Sequence, residues 1–301
     1  MDRIDVIRLF VRIVERASFS DAARDLQMPR ASATRVIQEL ETHLGVRLLE
    51  RTTRAVRPTD DGMRYYSRCT QLLADLDQLE TVFHETEPTG PVCADMQGTL
   101  ARFFVIPALP EFRARYPGIS LHLRESDRMV DLVTEGVDCV LRAGSLSDSS
   151  LVGRQVAASE QLTLASPGYL QRHGVPESPD DLFKHRMVGY AASHTGQPYA
   201  LDFTIDGEVR EFTLPHDVLV KGAEIYTASG VAGLGLIQVP RYRVQHQIRS
   251  GQLVSILEDY PPPKMPVSVL YPHNRHLAGR VRVFVDWLAA LFRTAQSDGR
   301  L

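Results

Sequence analysis

Arg30, Thr34, Arg35 and Gln38 stand in the stretch PRASATRVIQEL, residues 29–40, where hydrogen-bonding side chains recur at helical spacing and no acid occurs between Asp25 and Glu39. On a helix turning about 100° per residue, Ala33, Val36, Ile37, Leu40 and Leu44 gather on one side, while Ala31, Thr34, Arg35 and Gln38 lie opposite. One side suits a core. The other is a short comb of donors and acceptors without negative charge. A solvated face mixes both charge signs, so this comb points to an anionic partner, and its chemistry would be hydrogen bonding to phosphates or base edges.

The charge around the comb agrees. The chain has 301 residues and a net charge of −3. Residues 1–68 nevertheless hold thirteen Arg and no Lys against ten Asp or Glu, a local surplus of three positive charges. Between Arg30 and Arg57 there are six Arg and three Glu. Any attraction for nucleic acid therefore belongs to the N-terminal segment, and the molecule as a whole is not a polycation.

The elements that hold the comb follow from periodicity. Ile4, Ile7, Phe10, Val11 and Val14 predict an amphipathic helix over residues 3–16. ASFSDAARDLQM offers Ser20 as the cap of a second helix with Asp21 in its first turn and Ala22, Ala23 and Leu26 as its apolar face. The third helix begins at about Pro29 and ends before Gly45. Two short helices joined by a tight turn, the second carrying the comb, have the shape of a helix-turn-helix. GVRLLERTTRAVRPT then predicts a small hairpin turning at Thr52 and Thr53, on which Arg51, Arg54 and Arg57 form a basic wing.

Residues SFSDAARDLQMPRASATRVIQELETHLGVRLLERTTRAVRPTDDG closely resemble the winged helix-turn-helix of the LysR-type transcriptional regulators. The resemblance rests on AA..L in helix two, R.I..LE..LG..L..R through helix three and the wing, and T..G opening the next helix. It implies duplex DNA as partner, with Arg30, Ala31, Ser32, Thr34, Arg35 and Gln38 as major-groove candidates. Pro29 and Arg30 occupy positions where the family usually has serine and glutamine, so base preference does not transfer.

After the wing, Thr59 caps a helix with Asp60 and Asp61 in its first turn. Tyr65, Cys69, Leu72, Leu76, Leu79 and Phe83 follow at alternating spacings of four and three, a heptad seam that predicts self-pairing. A helix packed on its own domain is the alternative. The seam resembles the linker helix through which LysR-type proteins dimerise. HETEPTGP ends it at a hinge.

Residues 91–301 predict alternating strands and helices, hence a mostly parallel sheet covered by helices. No G-x-G-x-x-G, HExxH or G-x-S-x-G occurs, and the histidines are scattered, so neither a catalytic centre nor a metal or cofactor is expected. A binding module ranks ahead of an enzyme. FFVIPALPEFRARYPGISLHL, ASPGYLQRHG, AGLGLIQVP and LYPHNRHLAGRVRVFVDWL resemble the effector domain of the same family, which folds like a periplasmic solute-binding protein. The fold class expected is thus α/β, with an N-terminal winged helix-turn-helix (1–58), a linker helix (59–87) and a two-subdomain α/β domain (91–301). Subdomain one takes residues 91–161 and 266–301, and subdomain two 162–265.

By that resemblance the cleft holds a small-molecule effector. Gln97, Gly98 and Thr99, where a strand meets a helix N-terminus, are candidates to bind its oxygen atoms, and Lys221 to pair with a carboxylate, which makes a small organic anion, aromatic or not, the expected ligand. Thr99 as a plain helix cap and Lys221 as a plain surface lysine are the alternatives. The family also implies a homodimer or homotetramer, and RNA polymerase as a partner. No run approaches a membrane span or a signal peptide's apolar core, so a cytoplasmic, nucleoid-associated protein without membrane contact is expected. Two other readings stand: an α/β binding protein or enzyme with a helical appendage, and a redox-responsive regulator using Cys69, Cys93 or Cys139.

Overall fold

The computed structural model describes residues 1–51, 56–81, 87–126, 132–144, 151–192, 195–272 and 277–301. Helix α1 (Arg3–Arg16) buries Ile7, Phe10 and Val11 of the expected stripe together with Leu9 and Ile13. Helix α2 (Phe19–Asp25) is capped by Ser18, not Ser20: the Ser18 hydroxyl accepts from Asp21 N at 3.2 Å. Phe19 is buried, and burying it draws the first turn of α2 two residues earlier. Arg16 clamps the pair, donating to both Asp25 oxygens at 2.8 and 3.0 Å. Helix α3 (Arg30–Leu44) has Pro29 at its N-cap and ends at Gly45, whose φ of +71° is a left-handed conformation that glycine tolerates.

Strands β1 (Leu49–Arg51) and β2 (Val56–Pro58) pair antiparallel, Glu50 opposite Arg57. The turn predicted at Thr52 and Thr53, with Arg54, lies outside the described residues. Helix α4 (Asp60–Thr81) is capped as expected, Thr59 Oγ1 accepting from Gly62 N at 2.9 Å. Gly62 is there for space: a Cβ would stand 1.9 Å from the Leu48 carbonyl oxygen. One residue fixes the wing's base. Glu41 Oε1 accepts from the amides of Leu48 (2.8 Å) and Leu49 (3.0 Å), both buried residues. Glu41→Ala strands two donors and is expected to cost at least about 2 kcal/mol, seen as a lower midpoint of thermal unfolding. Glu41→Gln keeps an acceptor and should cost less.

The heptad seam needs correction at its start. Tyr65 packs edge-on against Phe10 with centroids 5.2 Å apart, and Cys69 is only 3% exposed within the N-terminal core. A 4–3 repeat fits either a partner helix or the helix's own domain, and the first half of α4 faces its own domain. Leu72 is exposed and Leu76 half-buried, while the Leu79 side chain and Phe83 lie outside the described residues.

The remainder forms two lobes. In chain order come β3 (Gly90–Met96), α5 (Gly98–Leu100), a π-helical turn (Ala101–Val105), α6 (Ile106–Arg115), β4 (Ile119–Glu125), α7 (Leu132–Glu135), β5 (Cys139–Ala143) and β6 (Leu151–Ser159). The second lobe holds β7 (Gln161–Ala165), α8 (Pro167–His173), a 3₁₀ helix (Pro179–Lys184), β8 (Gly189–Tyr190), β9 (Leu201–Ile205), β10 (Glu208–Phe212), β11 (Leu219–Val220), α9 (Ala223–Val231), β12 (Ile237–Pro240), α10 (Arg241–Arg249) and β13 (Val254–Ser255). The chain then returns to the first lobe as β14 (Met265–Pro272) and α11 (Gly279–Ser297).

The first lobe's sheet has the order β4-β3-β5-β14-β6. Its β3–β4 and β3–β5 pairs are parallel as expected, but β14 runs antiparallel to both neighbours, and the β12-β7-β13 sheet is antiparallel throughout. The expectation of a mostly parallel sheet is therefore corrected to a mixed architecture, because β14 enters the first sheet from the second lobe without a covering crossover helix. Helix α11 buries Phe284, Leu288 and Phe292 with Val92, Leu141, Val267 and Val269 of that sheet. Two chain segments cross between the lobes, at Glu160 and at residues 261–264. They are tied together by Gln161 Nε2 donating to the Pro263 carbonyl at 2.8 Å and by Glu160 facing Lys264 at 3.9 Å, and Glu160 also pairs with Arg241 of α10 at 3.2 Å.

Candidate nucleic-acid interface and ligand cleft

On α3 the burial separates the two sides. Ala33 and Ile37 are fully buried, Val36 and Leu40 pack against the same core, and Arg30, Ala31, Ser32, Arg35 and Gln38 are exposed, with Thr34 half-buried. The first turn carries neither a side-chain cap nor an acid, because proline offers no side-chain acceptor. Arg35 is 80% exposed and pairs along the helix with Glu39 at 2.9 Å, an arrangement the comb did not foretell. Such an exposed pair is worth only a few tenths of a kcal/mol, so Arg35 is free to exchange partners. Arg57 is exposed on the wing. The Arg51 side chain and Arg54 lie outside the described residues.

The cleft elements meet at strand ends. Gln97 follows β3, but its side-chain carbonyl is used internally: Oε1 accepts from Ala143 N at 2.9 Å, tying β3 to β5. Gly98 lies against the Glu125 side chain, whose Oε1 would stand 2.0 Å from an added Cβ. A carboxylate thus already sits beside the helix N-terminus expected to receive an anion. The Thr99 hydroxyl lies 3.2 Å from the Tyr242 hydroxyl of the second lobe. Tyr242 is 5% exposed among Phe103 and Phe104, at centroid distances of 5.6 and 5.0 Å. Burial pushes its phenol pKa up, against the opposing effect of the Thr99 bond. Arg102 joins Glu224 on α9 at 2.9 Å, both groups largely exposed, so the lobes meet through a solvated contact as well as a buried one.

Lys221 is exposed, forms no ion pair among the described residues, and follows β11 directly, ahead of Gly222 at φ +118°. Beside it, Val220 pairs with Tyr190 of β8, and Tyr190 is flanked by Tyr199 (6.2 Å, stacked) and Tyr226 (5.0 Å, edge-on). That aromatic group was missed, since Tyr226 lies far along the chain from Tyr190 and Tyr199. A buried ion pair was missed for the same reason. Arg142 bonds Asp95 across adjacent strands, and Ser126 Oγ donates to the same carboxylate oxygen at 2.8 Å. The signal in the sequence was a charge inside each of two apolar strands, PVCADM and DCVLRA.

The redox reading is not supported by the thiols' surroundings. Burial pushes the Cys69 thiol to about 11 and raises Cys93 and Cys139 as well. Cys139 is in register with Ala94, so Cys93 and Cys139 point to opposite faces of the sheet and cannot approach each other as a disulfide. DNA affinity is expected to be unchanged after peroxide treatment, measured by titration of labelled duplex. A peroxide-dependent loss would reinstate a sensing cysteine. No acid, histidine and cysteine group that could hold a metal occurs among the described residues, and no described helix is long and apolar enough to cross a membrane.

Comparison with known proteins fits this geometry. Residues 4–63 match the bacterial regulatory helix-turn-helix family of the lysR type, and residues 85–293 match the LysR substrate binding domain. The chain is 37% identical to the HTH-type transcriptional regulator YhjC of Escherichia coli K12, over 97% of this chain and 99% of that one. It is 35% identical to an HTH-type transcriptional repressor of Pseudomonas aeruginosa, over 97% and 93%. The solved structure of CrgA, a LysR-type regulator from Neisseria meningitidis, superposes with a TM-score of 0.57 at 31% identity, covering 95% of this chain and 97% of that one. With a helix-turn-helix followed by a two-lobed binding domain, matched over nearly its whole length, the chain belongs to the LysR-type DNA-binding transcriptional regulators.

Proposed function

We propose that the chain reads duplex DNA through Arg30, Ala31, Ser32, Thr34, Arg35 and Gln38 in a major groove, with Arg51, Arg54 and Arg57 of the wing on the backbone or minor groove. The observation that carries this is the exposed, uncapped and acid-free first turn of α3 on a packed scaffold. Residues 1–58 form the DNA-binding unit, 59–87 the linker, and 91–301 the effector unit, divided at 161/162 and 265/266. The later part of α4, from Leu72 through Leu76 and Leu79 toward Phe83, pairs two copies, and two dimers occupy adjacent half-sites. The protein acts in the cytoplasm at the nucleoid, contacts RNA polymerase, and has no enzymatic activity.

The effector is a small organic anion with a flat apolar body. Lys221 supplies the charge, Thr99 a hydroxyl, and Tyr190 with Tyr199 an aromatic wall, while Glu125 disfavours a second anionic group at Gly98. A ligand that prefers one arrangement of the lobes shifts the DNA contacts through the linker. Selection from a random duplex pool, followed by affinity at two salt concentrations, tests the reading. A two-fold-symmetric site is expected to be enriched. Salt-sensitive binding without enrichment would refute base reading by α3, and turnover of a ligand that stabilises the protein would refute the non-enzymatic assignment.

A further inference from the structure

Among the described residues, the β9–β10 hairpin leaves one strand edge without a partner. Its turn is Asp206-Gly207, with φ +52° and +82°, the type I′ geometry of a two-residue loop. That turn closes with the Glu208 N–H donating to the Ile205 carbonyl. Ladder alternation then makes Phe203/Arg210 and Leu201/Phe212 the other bonded pairs, and the residues between them turn their amides outward. On β9 these are Asp202 and Thr204, and both are satisfied: Asp202 N donates to Gln238 Oε1 at 2.9 Å, and Thr204 N to the Pro261 carbonyl at 3.0 Å. On β10 they are Val209 and Glu211, whose amides meet no partner among the described residues. Val209 is 54% exposed, and Phe183, 74% exposed, stands beside Phe212 at 6.2 Å.

A free edge with an apolar residue near its middle is a template for another strand. Charge selects the strand. When two copies of β10 pair antiparallel about a two-fold axis, centring on Glu208 or on Glu211 sets acid against acid, and centring on Arg210 sets arginine against arginine. Centring on Val209 sets Glu208 opposite the partner's Arg210 twice and Val209 opposite its own copy. We propose that β10 pairs with β10 of a second copy of this chain in that register, joining units that α4 assembles on the reading proposed above. The charges that would protect a lone edge here reject the registers centred on Glu208, Arg210 and Glu211 and favour the one centred on Val209, while centring on Phe212 would engage only the end of the strand.

Sedimentation velocity of the full-length chain over a concentration series tests the proposal. E208R and R210E each place like charges opposite at both symmetric pairs, and each is expected to weaken the higher assembly by about tenfold. The E208R/R210E double reversal restores the attraction and should recover the wild-type behaviour. If all four proteins sediment alike, or the double reversal fails to recover what the single ones lose, the pairing is wrong. A second measurement is independent of charge. V209C should form a disulfide-linked dimer, since Cα atoms of a bonded antiparallel pair lie about 5.5 Å apart and the native thiols are all buried. Absence of that dimer under oxidation overturns the register.

Discussion

Arg35→Ala is expected to lower affinity for a selected duplex by roughly 5- to 150-fold, the range for losing one base-reading arginine, while affinity for random duplex falls far less. The expectation rests on position: Arg35 projects from the exposed side of α3, one turn beyond the uncapped end, and its ion pair with Glu39 is solvated on both sides. Releasing that pair costs little beside what a bidentate contact to guanine returns. Glu39→Gln supplies the internal control. It frees Arg35 and removes a negative charge from the DNA-facing side, so it should raise affinity for specific and random duplex alike. Arg30→Ala should weaken both and reduce the salt slope by about one unit if Arg30 touches a phosphate. Equal losses for specific and random DNA with Arg35→Ala would move Arg35 from base reading to backbone contact.

Much of the N-terminal unit was legible because a helix against a core declares itself by period. Ala33 and Ile37 had to be buried if the comb was exposed, and they are. The cap of α2 was not legible: Ser18 and Ser20 both suit the position, and only the burial of Phe19 decides between them. The start of the α4 seam was misread for a related reason. Spacing records that a stripe is apolar but not what covers it, and Phe10 covers Tyr65. In the second half, local pattern located most strands but could not orient β14, because direction is set by where the chain comes from. The cleft was the least legible part. No local pattern showed that the Gln97 carbonyl would serve Ala143 N, or that Asp95 would find Arg142 forty-seven residues away.

Tyr242→Ala is expected to loosen the two lobes from each other and not merely to weaken one of them. Tyr242 belongs to α10, whose Val244 lies in the second lobe's core, yet its own ring is buried with Phe104 and Phe292 in the core of the first. Truncating a buried aromatic residue costs about 3–5 kcal/mol. Here the cavity opens at the junction, while Arg102–Glu224, exposed on both sides, can replace little of that loss. The lobes should then unfold separately, so that calorimetry is expected to show two resolved transitions for the effector domain in the variant and one in the wild type. Tyr242→Phe keeps the ring and removes the hydroxyl facing Thr99, at a cost of about 1 kcal/mol. It should preserve the single transition and, with Thr99→Val, give a double variant no worse than either alone, as for two partners of one hydrogen bond. A single transition at a lower midpoint in Tyr242→Ala would show that the lobes are held by the crossing segments at Glu160 and Pro263. The inter-lobe geometry that an effector must change would then reside in those crossings.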